Sequence, residues 1–448
     1  MKMGSTKVTE GNILRQLIFF SLPLILGNLT QQIYTTLDLM IVGRYADSIA
    51  VAAVGSPNSL ISLLTGLLNG LGTATGVIIS QYYGAGEKDG IRKAVGTSII
   101  WSSSSGIVIS VIAIMAAPWL LTLMSTPPEV MPEAVIYFRL YFVGMVFNLT
   151  YQMCANILRA VGDSKHMFYY LITGCCVKIA FSYIFTGLLS MRAAGSALAT
   201  VLGDFVSMGM ALLNLTRTQD IYRLEIRHIA FDKGIFKKMF TLGMPSGLQS
   251  EAVTLSNVVI QAQINTFGAA AMAGYSTGWR LNGFLFMFIG AGANAITSFV
   301  GQNIGAGKPE RARRATWLWM IFICAVSLVM GVLLFVFGRE ILGLFKSEKE
   351  VIDNGMKMLV FTALTYWFYA IGDICAGAVR GAGATGIPMT IALIGTCGVR
   401  LTWIFLMRPI WNDVQVVFAS YTVSWIVTTL SYFFYFYKGK WADKRITK

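Results

Sequence analysis

The stretch Leu14–Gly43, LRQLIFFSLPLILGNLTQQIYTTLDLMIVG, decides the fold, because between Arg15 and Arg44 its only formal charge is Asp38. At about 1.5 Å of rise per residue this run makes a helix of about 45 Å, enough to cross a hydrocarbon core of about 30 Å with tilt to spare. A carboxylate inside such a span costs at least about 2.5 kcal/mol even on insertion scales, so it faces a protein interior or a water-filled cavity. Asp38 is therefore the first candidate functional residue.

The rest of the chain extends this reading. Of 448 residues 55% are hydrophobic and only 12% charged, about half the charged share of a typical soluble domain. Apolar stretches of spanning length recur at Ala50–Tyr82, Ala94–Leu121, Val135–Leu158, Met167–Leu189 and Ala193–Leu215. A second set follows at Ile235–Phe267, Ala269–Val300, Ala315–Phe337, Met356–Val379, Ile387–Met407 and Val414–Tyr437. The expected fold is an all-α polytopic membrane protein of twelve transmembrane helices in two six-helix lobes.

The net charge of +14 sits in short loops between spans, so it reads as membrane orientation and nucleic acid is excluded as a partner. One side of the membrane collects 24 Lys and Arg and the other 8, which places both termini in the cytoplasm. The polar start, Met1 to Gly11, precedes an apolar run too long for a signal-peptide core, so no cleaved leader is expected. The six cysteines lie in apolar segments without metal-ligand spacing, and His166 and His228 sit in charged loops. Neither a metal site nor a nucleophile with a catalytic partner is expected, so the chain does not read as an enzyme.

The longest polar connector, Arg217 to Lys238, divides the spans six and six. The expected organisation is an N-lobe at 1–220, a connecting loop at 221–234 and a C-lobe at 235–448. An internal repeat supports it. At an offset of 221, Gln81, Gly84, Ala85, Gly86 and Arg92 match Gln302, Gly305, Ala306, Gly307 and Arg313, and Cys154, Arg159 and Gly162 match Cys375, Arg380 and Gly383. Six spans per repeat is an even number, so the repeat is parallel. The Gly-Ala-Gly blocks lack the Gly-Lys-Ser/Thr of a nucleotide loop and end helices, where glycine caps.

These residues carry a resemblance to the multidrug and toxic compound extrusion (MATE) transporters, in a bacterial branch that includes DinF-like proteins. The matching features are Pro23 with Asp38 and Gly43, the two Gly-Ala-Gly ends, Leu158 to Asp163 with Val379 to Gly383, Gly195 to Thr200, and Met244 to Gln249. The resemblance implies a secondary exporter of organic cations or amphipathic compounds, in antiport with H⁺ or Na⁺. It implies a bacterial inner-membrane protein, taken as a monomer amid membrane lipid, with no cofactor beyond the coupling ion. The alternative, a lipid-linked precursor flippase of the same superfamily, needs a strongly basic cavity, whereas the charge within these spans is mixed.

Many bacterial members carry an Asn and, four residues later, an Asp on the fifth helix, completing a cation site with the first-helix Asp and a sixth-helix Thr. Here Asp38 and Thr200 match, but Lys178 and Ser182 occupy the other two positions. A lysine there places a fixed positive charge where a metal ion would bind. The expectation is that Lys178 pairs with Asp38 and that this lobe couples to protons. Asp373 and Glu251 are expected to contribute to a C-lobe cavity, and Pro23 and Pro245, at nearly matching places, are candidate hinges. Asp204, Arg280 and Arg400 complete the charges within spans.

Overall fold

The structure is a computed structural model that describes residues 8–345 and 348–446. Among these residues the regular structure is helical. Its principal helices are α1 (Ile13–Tyr45), α2 (Ser48–Ala85), α3 (Lys88–Leu123), a bent α4 (Met131–Val143 and Met145–Ala160), α5 (Ser164–Leu188) and α6 (Arg192–Arg217). They continue as α7 (Lys233–Asn265), α8 (Ala269–Gly305), α9 (Pro309–Val336), a bent α10 (Lys349–Ala363 and Tyr366–Gly381), α11 (Gly386–Met407) and α12 (Val414–Lys438).

Nine of these are long and apolar enough to span a membrane, and α4 and α10 reach that standard as pairs bent by 45° and 50°. The bends fall at Gly144 and at Leu364 and Thr365, and Gly144 and Thr365 are 221 residues apart. The twelfth expected span, α7, is 33 residues long but falls outside the apolar set among the described residues. Gln249, Glu251, Asn257, Gln261 and Gln263 dilute it, and two of these, Gln249 and Asn257, line an internal cavity. On α3, Ile107, Val108, Val111, Ile112, Met115 and Trp119 are all exposed at helical spacing, an apolar face of the kind that meets lipid.

Two compact units divide the chain. Of the described residues, one comprises 22–243 and the other 8–21, 244–345 and 348–446. These bounds differ from the lobes expected from the polar connector, because the start of the chain packs in the second unit. There Val8 is buried, and its carbonyl accepts from Asn303 Nδ2 at 3.4 Å and Arg311 Nη2 at 3.3 Å. Arg311 also donates to Gln16 Oε1. Consequently α1 passes between units two residues before Pro23, and α7 does so two residues before Pro245.

The first unit is cored by Tyr137, Phe138, Phe142 and Met145 with Val42, Ala53 and Ala197. The second is cored by Tyr275, Tyr366, Phe418, Tyr421 and Trp425 with Ile260 and Ile264. The Gly-Ala-Gly ends cap as expected. Gly86 is left-handed at φ 72° with its N–H on the carbonyls of Tyr82 and Tyr83, and Gly307 has φ 69°. In α5 and α6, Gly174 and Gly203 allow the backbones to meet. A Cβ at Gly203 would lie 2.2 Å from Lys178 Cγ and 2.7 Å from the Gly174 carbonyl oxygen, so small residues set this approach.

Candidate functional site

In the first unit the antiparallel pair α5 and α6 meets the middle of α1. On α6, Ser196, Thr200 and Asp204 follow one another at four-residue steps and share a face. On α5, Ser182 and Lys178 are likewise one turn apart. Because the helices run in opposite directions, Ser182 lies level with Ser196, and Lys178 lies level with Thr200 and Asp204.

Asp38, only 7% exposed, enters at the first level and accepts from Ser182 Oγ at 2.6 Å and from Ser196 Oγ at 2.7 Å. One turn earlier on α1, Tyr34 OH lies 2.9 Å from Thr200 Oγ1. Thr200 gives its own hydrogen to the Ser196 carbonyl, so Tyr34 is the donor. At the third level Lys178 Nζ lies 2.7 Å from Asp204 Oδ1, and Asn148 Nδ2 donates to Asp204 Oδ2 at 3.1 Å. The Lys178 ammonium also sits 5.1 Å from the centroid of the Tyr34 ring, within cation–π range.

This corrects the expected pairing. Lys178 is neutralised by Asp204 and not by Asp38, because Lys178 lies a turn before Ser182 on α5, level with the Asp204 end of α6, and the Gly174–Gly203 approach brings those helices close enough for the pair to form. Asp38 is left with hydroxyl donors alone. The sequence reading brought Asp38, Lys178, Ser182 and Thr200 to one place, and the structure does gather them. It missed Tyr34, Asn148 and Ser196 and gave Asp204 no role, although the Ser196, Thr200, Asp204 spacing was a usable signal.

Beside this ladder lies a small cavity of about 30 Å³ lined by Tyr34, Asn148, Gln152, Cys175, Lys178 and Asp204 among others. The second unit contains its counterpart, a cavity of about 230 Å³. Asn148, Tyr151, Gln152, Leu171, Cys175, Asp204 and Ser207 line the first, and Tyr369, Gly372, Asp373, Ala392, Thr396, Trp425 and Thr428, each 221 residues further on, line the second.

The basic residue follows the same correspondence by a detour. A π turn occupies Tyr183–Leu188 in α5 and another occupies Leu393–Val399 in α11. Each adds a residue to its helix relative to α geometry. The turn in α11 precedes Arg400 and moves this arginine, not Val399, into the place of Lys178. The turn in α5 follows Ser182 and restores the offset.

Around the larger cavity, Asp373 Oδ1 lies 3.5 Å from Arg380 Nη2. Arg400, 2% exposed, donates from Nε to Ser424 Oγ at 3.1 Å and from Nη1 to Asn257 Oδ1 at 3.2 Å, and its Cζ lies 4.5 Å from the Tyr421 ring centroid. Glu251 does not line this cavity, contrary to expectation. Gln249, Val253 and Asn257 form the lining face of α7, and a residue two positions from Gln249 points about 200° away from it on a helix. The Glu251 Oε2 is buried and, among the described residues, has no hydrogen-bond partner. Among the described residues no group of three His, Cys, Asp or Glu gathers to hold a metal.

Comparison with known proteins agrees with this arrangement. The chain is 27% identical over 452 residues to "Probable multidrug resistance protein YoeA" of Bacillus subtilis (strain 168), covering 99% of this chain and 97% of that protein. It is 20% identical over 407 residues to the multidrug export protein MepA of Staphylococcus aureus (strain MSSA476), covering 91% and 90%. Its fold matches a crystal structure of MATE in the bent conformation at a TM-score of 0.91, with 19% identity and coverage of 98% and 97%. An outward-facing multidrug resistance MATE family transporter of the MOP superfamily matches at 0.90, with 20% identity and 98% coverage of both chains. The sequence pattern of the MatE family matches twice, at residues 23–184 and 245–406, once on each set of six spans and over well more than half of the chain, and the protein is a member of the MatE family.

Proposed function

We propose that the protein is a secondary multidrug exporter of the MATE type, which moves small amphipathic compounds, organic cations among them, out of a bacterial cell in exchange for protons. In this reading it sits in the inner membrane as a monomer with both termini in the cytoplasm. The observation that carries the coupling is Asp38, a lone carboxylate within a span, held between the Ser182 and Ser196 hydroxyls and, among the described residues, lacking a basic partner within 4.0 Å. Such a group can take and release a proton without breaking an ion pair, since Asp204 already holds Lys178. The Lys178 ammonium over the Tyr34 ring fills the side of the site where a metal ion would sit, which disfavours Na⁺ there.

Protonation of Asp38 removes the charge to which two serines donate, and so releases α1 from α5 and α6 at this level. Pro23 and Pro245 then serve as hinges. Each lacks the backbone N–H that would close its helical turn, and each lies two residues past the point where its helix changes unit. Resistance profiling in an efflux-deficient strain, with export measured under imposed pH and Na⁺ gradients, tests this reading. Export driven by Na⁺ alone and abolished by Asp38→Asn would overturn it.

A further inference from the structure

From the cavity of the second unit we infer a binding site for an aromatic carboxylate, with the carboxylate on Arg400 and the ring among the aromatic walls. This deepens the exporter reading and rests on it for its role in transport. The argument begins with the repeat. In the first unit the basic residue of the fifth span has a built-in counter-ion, Lys178 on Asp204. In the second unit the residue in Asp204's place is Trp425, and the residue in Asn148's place is Tyr369. Arg400 therefore occupies the equivalent position with its acidic partner replaced by an indole.

No carboxylate of the described residues lies within 4.0 Å of Arg400. The carboxylate in the same cavity, Asp373, is 3.5 Å from Arg380 and so is already paired with another guanidinium. A guanidinium stays ionised in a protein, and a buried cation without a counter-charge is costly. Of its five N–H donors two are used, one by Ser424 and one by Asn257. Among the described residues the Nη2 amine meets no acceptor, and Arg400 lines the cavity. A carboxylate is the ligand group whose two oxygens match this fork and supply the missing charge.

The walls choose the rest of the ligand. Trp279, Phe286, Tyr369, Tyr421, Trp425 and Tyr432 all line the cavity, and such faces favour a flat ring stacked or edge-on. At about 230 Å³ the space is below the about 300 Å³ at which sites for drug-sized molecules begin, so one or two fused rings fit. The inorganic alternative, chloride on Arg400, supplies the charge but leaves the aromatic walls without an occupant.

Calorimetric titration of the purified protein in lipid nanodiscs decides this, independently of transport. The probes are 2-naphthoate, its neutral isostere 2-naphthamide, and chloride against a gluconate background. The expected result is at least tenfold tighter binding of naphthoate than of naphthamide, loss of that preference in Arg400→Gln, and partial recovery in Arg400→Lys. The Arg400→Gln protein must retain naphthamide binding, which shows that the cavity is still formed; Trp425→Leu, which keeps the arginine, should weaken both naphthyl probes. Equal affinity for naphthoate and naphthamide in the wild type would overturn the inference. So would naphthoate binding that Arg400→Gln leaves unaltered, or chloride binding as tight as naphthoate. A failure of proton coupling in cells would leave these binding results standing.

Discussion

Lys178 Nζ lies 2.7 Å from Asp204 Oδ1, and the pair is nearly buried, with side chains 13% and 7% exposed. It joins α5 to α6 next to the glycines that let those helices meet, and it separates the lysine from the carboxylate at Asp38. Breaking one half leaves a buried charge unpaired, at a cost of about 3–5 kcal/mol. Asp204→Asn should therefore lower the unfolding temperature clearly, and Lys178→Met combined with Asp204→Met should recover most of the loss. Thermal melting of the three proteins in one detergent checks this. Equal melting of wild type and Asp204→Asn would mean that the pair contributes no net stability.

Asp38→Asn retains the shape of the side chain and can still meet Ser182 and Ser196, but it cannot exchange a proton. Export driven by an imposed pH gradient should fall at least tenfold, with little change in melting temperature. Uptake by everted vesicles reads the first quantity. Full pH-driven export in Asp38→Asn would move the coupling elsewhere.

The double substitution Lys178→Asn with Ser182→Asp removes the cation over the Tyr34 ring and adds a second carboxylate facing Asp38. Na⁺ dependence of export should appear in the variant and be absent from the wild type. The same vesicles, assayed with and without a Na⁺ gradient, give the answer.

Pro23→Ala and Pro245→Ala each restore a helix hydrogen bond at the place where α1 or α7 changes unit. A proline in a helix interior costs about 3 kcal/mol or more, so these variants should melt higher or unchanged while exporting more slowly. Slower export together with a lower melting temperature would show that the prolines serve packing instead.

At the loop between α1 and α2, Asp47 caps α2 by accepting from the Ala50 N–H at 3.0 Å and accepts from the Arg192 guanidinium. The hydrogen bond from Arg192, then that from Ala50, holds the carboxyl below its usual 3.8. Its folded pKa is depressed, so the contribution to stability is present above about pH 4 and is lost as pH falls through the folded value. The melting temperature of wild type should therefore drop on acidification more steeply than that of Asp47→Asn. Parallel slopes would exclude a role for this carboxyl in acid stability.

The spans, the internal repeat and the glycine caps were legible because each follows from local rules. A long apolar run must be helical in lipid, and a glycine past a helix end accepts the left-handed turn seen at Gly86 and Gly307. Asp38 was legible as a site because one carboxylate in an apolar run has no local compensation. The bounds of the two units were less so. The polar connector marks where the loops lie, whereas Val8 to Ser21 join the second unit through contacts with Asn303 and Arg311 far along the chain.

By itself the sequence determined the class of the protein, its doubled set of six spans, and the charged residues that must find partners within them. Only the tertiary structure decided which partners they found. The choice of Asp204 over Asp38 for Lys178 depends on how closely Gly174 and Gly203 let α5 and α6 approach. The standing of Arg400 as the counterpart of Lys178 depends on the π turn that precedes it in α11, which shifts the helix register by a residue. Both are matters of where a side chain points within a turn, and apolar periodicity carries no record of them, since a span that is hydrophobic on most sides looks alike in any rotation.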